Sequence, residues 1–252
     1  MALSSDEVTA AVKAAMEEVP AIDLHTHLFP PSHGNLLLWG IDDLLTYHYL
    51  VSEFFMVAPG SITHVAFFEL SRSAQADLVW EHLFRLRTPI SEAQIGVLTT
   101  LRRLGLNELL LAGEIGPIRA WFGAQDAGAH AERIFVVANV RYVVMTNIPF
   151  VARECEAWVA SPASRIDVET RAFAAADVLE QTYDKSRFKT ALRVDPLLSG
   201  DWGTIAACIT ARGLPATLEG ARIFLEAWAK VSVLLCTVTF YANHAHNLTR
   251  SP

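Results

Sequence analysis

The residues of this chain with the clearest chemical potential are His25-Thr26-His27. Histidines at i and i+2 on a strand share one face, with their bases about 7 Å apart. Both imidazoles can then converge on one ion. Neutral imidazole nitrogens suit Zn²⁺ and other borderline first-row metals. Two histidines do not complete such a site, which normally adds a carboxylate or a further histidine. Asp195, just beyond a predicted strand, is one candidate. His244 and His246 repeat the H-x-H spacing, but in a polar stretch where solvated side chains are the plainer reading. The same plain reading of His25 and His27 is two unrelated polar residues at a strand end.

Tyr47-His48-Tyr49 is a second constellation, inside an otherwise apolar helical pattern. Histidine titrates near neutrality and a phenol can donate a hydrogen bond, so the group suits proton transfer. The alternative is a helix that simply packs aromatic rings. Arg193 is the third candidate. At a strand end its guanidinium could grip a carboxylate with two hydrogen bonds. It could equally form a structural pair with Asp195.

The elements that must position these residues follow from pattern. Residues 4–18 read as an amphipathic helix with a Ser4–Glu7 capping box, stopped by Pro20. Ala21 to His27 alternates as a strand, with Ile22 and Leu24 on one side and Asp23, His25 and His27 on the other. A Pro-rich loop follows. From Leu36 to His130 and on to Ala138 the pattern is helical, with predicted helices Ile41–Phe55, Ala74–Leu86, Ser91–Leu104, Asn107–Phe122 (broken near Gly116-Pro117) and Ala129–Ala138. Strands return at Arg141–Thr146 and Lys189–Val194, with helix expected between them over Val168–Tyr183. Strand, helix and strand in that order imply βαβ units and a parallel sheet. Leu218–Lys230 reads as a helix and Ser232–Tyr241 as a last strand.

Composition sets the bounds. The chain has 252 residues, 52% hydrophobic and 19% charged, which excludes a disordered polymer. Mean hydropathy is +0.29, read as elements buried on several sides. The longest apolar stretch, Val231–Ala242, is shorter than the roughly 20 residues a membrane helix needs. A net charge of −7 with no basic run argues against nucleic acid. Cys155, Cys208 and Cys236 are odd in number and widely spaced, so buried reduced thiols are expected. Acids at Asp6 and Glu7 and the lack of an apolar leader point to a cytoplasmic protein.

These residues resemble a known family. Ile22-Asp23-Leu24-His25-Thr26-His27-Leu28 resembles the first-strand metal motif of the amidohydrolase superfamily. Gly40-Ile41-Asp42-Asp43-Leu44-Leu45-Thr46-Tyr47-His48-Tyr49 resembles the helix that follows it in uronate (glucuronate) isomerases. Thr88-Pro89-Ile90-Ser91-Glu92-Ala93, Met145-Thr146-Asn147-Ile148-Pro149-Phe150 and Leu192-Arg193-Val194-Asp195 look like later blocks of that family. The resemblance runs to about residue 230. It implies an α/β fold, a distorted (β/α)₈ TIM-type barrel with a large helical insertion after the first strand, over about 36–138. It implies interconversion of D-glucuronate with D-fructuronate, and of galacturonate with its ketose, through an enediol. It implies a divalent ion, foremost Zn²⁺, on His25 and His27. His48 and Tyr49 would contact or protonate sugar oxygens, and Arg193 would bind the substrate. The C2 base is not fixed by these motifs.

The chain departs from the family pattern in two ways. No block matches the family's metal-binding aspartate on the last barrel strand, and four strands are readable where a closed barrel needs eight. The expectation is therefore a single domain with an incomplete barrel, a divergent tail over 231–252, and an isomerase activity that shortening could remove. An open sheet edge would favour homo-oligomers. The alternatives are a metal-dependent hydrolase of the same superfamily and a non-catalytic relative that binds another subunit.

Overall fold

A computed structural model describes residues 4–147, 149–151, 154, 157–161, 163–180 and 182–232. The chain divides into two compact units. One joins the segment up to Leu37 with the segment from Asn139 onward; the other is Leu38–Ala138.

The first unit is α/β. Helix α1 (Ser5–Glu18) starts at the predicted capping box: Glu7 N–H donates to Ser4 Oγ, and Ser4 N–H donates to the Glu7 carboxylate. Strands β1 (Ala21–Thr26), β2 (Val140–Asn147) and β5 (Phe188–Leu192) form a three-stranded sheet in the order β1-β2-β5, parallel throughout. Val143, Val144 and Met145 on β2, and Thr190, Ala191 and Leu192 on β5, are buried in succession. Burial of consecutive residues means that both sheet faces are covered there, as parallel strands require. The pairing of β2 with β5 is regular, whereas β1 slips in register between Asp23 and Thr26.

Between β2 and β5 the predicted helix over Val168–Tyr183 does not form. The segment instead holds a two-stranded antiparallel sheet, β3 (Ile166–Asp167) with β4 (Ala172–Phe173), and a 3₁₀ turn, Ala175–Asp177. The cause is local. The Asp167 carboxylate takes hydrogen bonds from the Thr170 backbone N–H and hydroxyl, and Arg171 sits at φ 51°, so the chain reverses instead of winding. Three helices close the unit: α10 (Asp195–Ser199), α11 (Trp202–Ala211) and α12 (Leu218–Ser232). The last packs on β4 and β5. The predicted strand Ser232–Tyr241 fails at Ser232, which is helical, and otherwise lies outside the described residues.

The hydropathy excess is not all interior. Helix α1 buries no residue, and Ile22 and Leu24 on β1 are 44% and 61% exposed. Among the described residues β1 has a strand neighbour on one side only.

The second unit is a helical bundle: α2 (Gly40–Leu45), α3 (His48–Val57), α4 (His64–Glu69), α5 (Arg72–Trp80), α6 (Glu92–Arg103), α7 (Asn107–Ala112), α8 (Ile115–Gly123) and α9 (Ala127–Val137). Its core includes Leu45, Phe54, Phe67, Val79, Leu101 and Ile118, all essentially inaccessible. Arg119 ties α8 to α2 and α5 through Asp42 and Asp77, each at 2.7 Å. The predicted helix Ile41–Phe55 is two helices, because Tyr47 is extended (ψ 141°) and the Thr46 hydroxyl bonds back to the Asp42 carbonyl. The predicted helix Asn107–Phe122 also divides, at Gly113 and not at Gly116-Pro117. Gly113 adopts φ 74°, the left-handed geometry that ends α7 and suits glycine.

His33, in the 3₁₀ turn Pro31–Leu36, is buried among Phe29, Trp158 and Tyr183. Burial pushes its imidazole down to about 4 and the Tyr183 phenol up to about 12. Below the unfolded imidazole value near 6.5 the unfolded chain takes up a proton that the folded chain refuses. Stability should therefore fall as pH drops from 6.5 towards 4, by up to about 3 kcal/mol. Urea unfolding across that range should show a shallower pH slope in His33→Phe than in the wild type.

Candidate functional site

Parallel pairing brings the C-terminal ends of β1, β2 and β5 to one edge of the sheet. His25 and His27 stand at the end of β1, and Arg193 follows β5 directly. One strand lies between β1 and β5, which sets their axes about 10 Å apart.

The imidazoles of His25 and His27 lean together. Their ring centroids are 5.3 Å apart at an interplanar angle of 71°, closer than the spacing of their bases on an ideal strand. Two local hydrogen bonds bend the chain here. His25 N–H donates to Asp23 Oδ1 at 3.0 Å, and Leu28 N–H donates to Thr26 Oγ1 at 2.9 Å. Such side-chain turns compete with the ladder, which accounts for the slip of β1 over this stretch. His25 is half-buried and His27 exposed, so the pair is reached from solvent.

The chemistry of this pair suits a borderline divalent ion, but it supplies two donors. Among the described residues no group of three or more His, Cys, Asp or Glu side chains is arranged to hold a metal. Asp195, the candidate third donor, is engaged elsewhere. Arg193 Nε and Nη2 donate to its two carboxylate oxygens, both at 3.0 Å. His244 and His246 lie outside the described residues. As described, the donor set falls short of the three protein ligands typical of zinc sites.

The Arg193–Asp195 pair is the structural partnership that its spacing allowed. Asp195 opens α10, where a carboxylate also faces the positive helix terminus. Both side chains keep some exposure, about 19% and 26%.

His48 and Tyr49 belong to the helical unit. Tyr47 precedes α3 and His48 and Tyr49 begin it, and the three rings lie in contact in sequence, their neighbouring planes tilted by 48° and 44°. Tyr47–His48 and His48–Tyr49 centroids are 4.3 and 4.1 Å apart. His48 and Tyr49 are exposed, whereas burial and the neighbouring Tyr49 raise the Tyr47 phenol. Cys208 is half-buried in α11 rather than buried outright. Burial raises its thiol, which donates weakly to the Pro149 carbonyl. Cys155 and Cys236 lie outside the described residues.

Two histidines outside the sequence candidates also occupy special positions. His33 is described above. His130 is 8% exposed on α9, with Trp39, Phe122 and Trp121 rings around it at 5.0, 5.6 and 6.1 Å. Helical periodicity counts His130 as one more polar residue. The approach of aromatic rings from other elements is what sets it apart.

No protein-family model and no curated protein matches this sequence. Among solved structures the chain is similar to a uronate isomerase from Bacillus halodurans C-125, at 35% identity and a TM-score of 0.72. The likeness covers 92% of this chain. The likeness is thus to a uronate isomerase, and it runs over nearly the whole of this chain. It spans about half the length of the Bacillus halodurans isomerase, 51%. The resemblance to a uronate isomerase thus has a counterpart in three dimensions, over an α/β fold. Among the described residues no helix is long and apolar enough to cross a membrane.

The part-exposed Arg193–Asp195 pair should add little stability, below about 1 kcal/mol. Arg193→Lys and Asp195→Asn should each lower the melting temperature by no more than a few degrees, measured by circular dichroism.

Proposed function

We propose that this chain is a uronate-isomerase-type protein whose substrate class is the open-chain uronate sugar, D-glucuronate or D-galacturonate. The observation that carries the proposal is the likeness to a uronate isomerase at 35% identity over 92% of the chain, with paired imidazoles at the C-terminal end of β1. That edge of a parallel sheet is where barrel enzymes place their chemistry. In the reaction a base removes the C2 proton, an enediol forms, and the proton returns at C1. The three parallel strands would be part of a distorted (β/α)₈ arrangement.

In this reading Arg193 grips the substrate carboxylate, and Asp195 holds the guanidinium planar and oriented until substrate competes for it. His48 and Tyr49 act as proton-transfer groups towards sugar oxygens. His25 and His27 would be two donors to a divalent ion, Zn²⁺ by ligand type, which when bound would orient substrate oxygens. A second reading, a relative that binds uronates without turning them over, is favoured by the two-donor count among the described residues. The exposed apolar residues of α1 and β1 would support homo-oligomers, read by sedimentation velocity.

The test is turnover. Purified protein with Zn²⁺ and glucuronate or galacturonate in D₂O should yield the ketose with deuterium at C1, followed by NMR. His25→Ala or His27→Ala should lower zinc content and slow conversion at least about 100-fold. Arg193→Lys should raise KM more than it lowers kcat. Saturable uronate binding without conversion would select the second reading. Neither binding nor conversion would sink both.

A further inference from the structure

An unbroken helix in phase with buried Ile41 and Leu45 would turn positions 48, 49 and 52 to the core. The structure buries Leu50, Val51 and Phe54 instead and leaves His48 and Tyr49 exposed. The break between α2 and α3 thus rephases the helix by about two residues, and that shift is what presents the two rings to a ligand. The body of α3 is held in the new phase by its three buried apolar side chains. It is also held by Glu53, whose carboxylate accepts from the Ser91 hydroxyl and the Gln94 side-chain amide, both at 2.8 Å.

The junction itself is held by other groups. Thr46 is buried, and its hydroxyl is bonded in both directions: it donates to the Asp42 carbonyl at 2.7 Å and accepts from Arg72 Nη1 of α5 at 3.0 Å. A threonine hydroxyl turned back onto the preceding turn bends a helix. Arg72 Nε lies 3.5 Å from Asp43 Oδ1, and Asp43 Oδ2 accepts the Trp39 N–H at the start of α2. One arginine of α5 therefore links both ends of α2, and the residue after Thr46 is the first of the three contacting rings.

We propose that Thr46 is a positioning residue for proton transfer: its two hydrogen bonds fix the α2–α3 junction and so hold the His48 imidazole between Tyr47 and Tyr49 in one orientation. The inference rests on the uronate reading for the reaction that His48 and Tyr49 serve. Thr46 acts through those rings and not on the substrate. A loosened junction leaves substrate binding nearly intact and spends less time in the reactive geometry, so the loss falls on kcat.

The test compares the full chain with Thr46→Val, Thr46→Ser and Arg72→Met. Rings as close as 4.3 and 4.1 Å displace the His48 ring-proton resonances from those of a solvated histidine, and His48→Gln assigns them by NMR. Thr46→Val, which keeps the side-chain shape and removes the hydroxyl, should move these resonances towards solvated values. It should lower kcat for glucuronate or galacturonate about tenfold and change KM by less than about twofold. Thr46→Ser should restore both. Arg72→Met, at a mostly exposed side chain, should shift both readouts in the same direction by less, and it decides the matter should Thr46→Val not fold. Ser91→Ala, which cuts one bond to Glu53, should lower the melting temperature and leave the His48 resonances and kcat in place. Unmoved resonances in Thr46→Val would overturn the proposal. So would moved resonances with an unchanged kcat, or a Ser91→Ala variant that moves them as far. A wild type that turns over no uronate defeats the uronate reading alone, and the resonances still decide whether Thr46 holds the ring.

Discussion

Parallel strand pairing is the constraint on which the candidate site depends. Two parallel strands cannot be joined by a tight turn, because the chain must return to the starting edge before it pairs again. That return is made once by the segment that forms the helical unit, between β1 and β2, and once by the segment that carries the β3–β4 hairpin, between β2 and β5. The three strands then end on one edge, and His25, His27, Arg193 and Asp195 are set by that edge although they lie far apart in the chain. The buried succession on β2 and β5 shows that both faces of this part of the sheet are sealed from water, which protects the pairing.

At the site the geometry is a compromise between ladder and turn. Asp23 and Thr26 draw the backbone out of regular pairing, and the two imidazoles approach each other as a result. Across the edge, Arg193 and Asp195 satisfy one another with two parallel hydrogen bonds. A guanidinium already held in its planar fork is presented in one orientation, at the cost of a carboxylate that any anionic ligand must displace or share.

The helical unit follows a different logic. Its core is ordinary helix packing around Phe54 and Phe67, braced by Arg119 between two aspartates. His130 is less ordinary. A polar ring pressed among Trp39, Trp121 and Phe122, with its Nδ1 left without a hydrogen-bond partner among the described residues, is costly to keep in a bundle that could have packed an aliphatic residue there.

Much was legible from the residues alone, and the reason is locality. The caps at Ser4 and Ser91, the strand at Val140–Asn147, the helical stretch and the shared face of His25 and His27 all follow from interactions within a few positions. The motifs that resemble uronate isomerases were readable in the same way, and the solved relative carries that likeness into three dimensions. The break at Thr46-Tyr47 and the reversal at Asp167–Arg171 were misread because apolar periodicity continues through them while one side-chain hydrogen bond redirects the backbone. Tertiary structure alone decided that His33 and His130 are sealed among aromatic rings, and that Ile22 and Leu24 meet solvent. Burial and partnership depend on which distant segments arrive at a residue, and no spacing along the chain encodes that arrival.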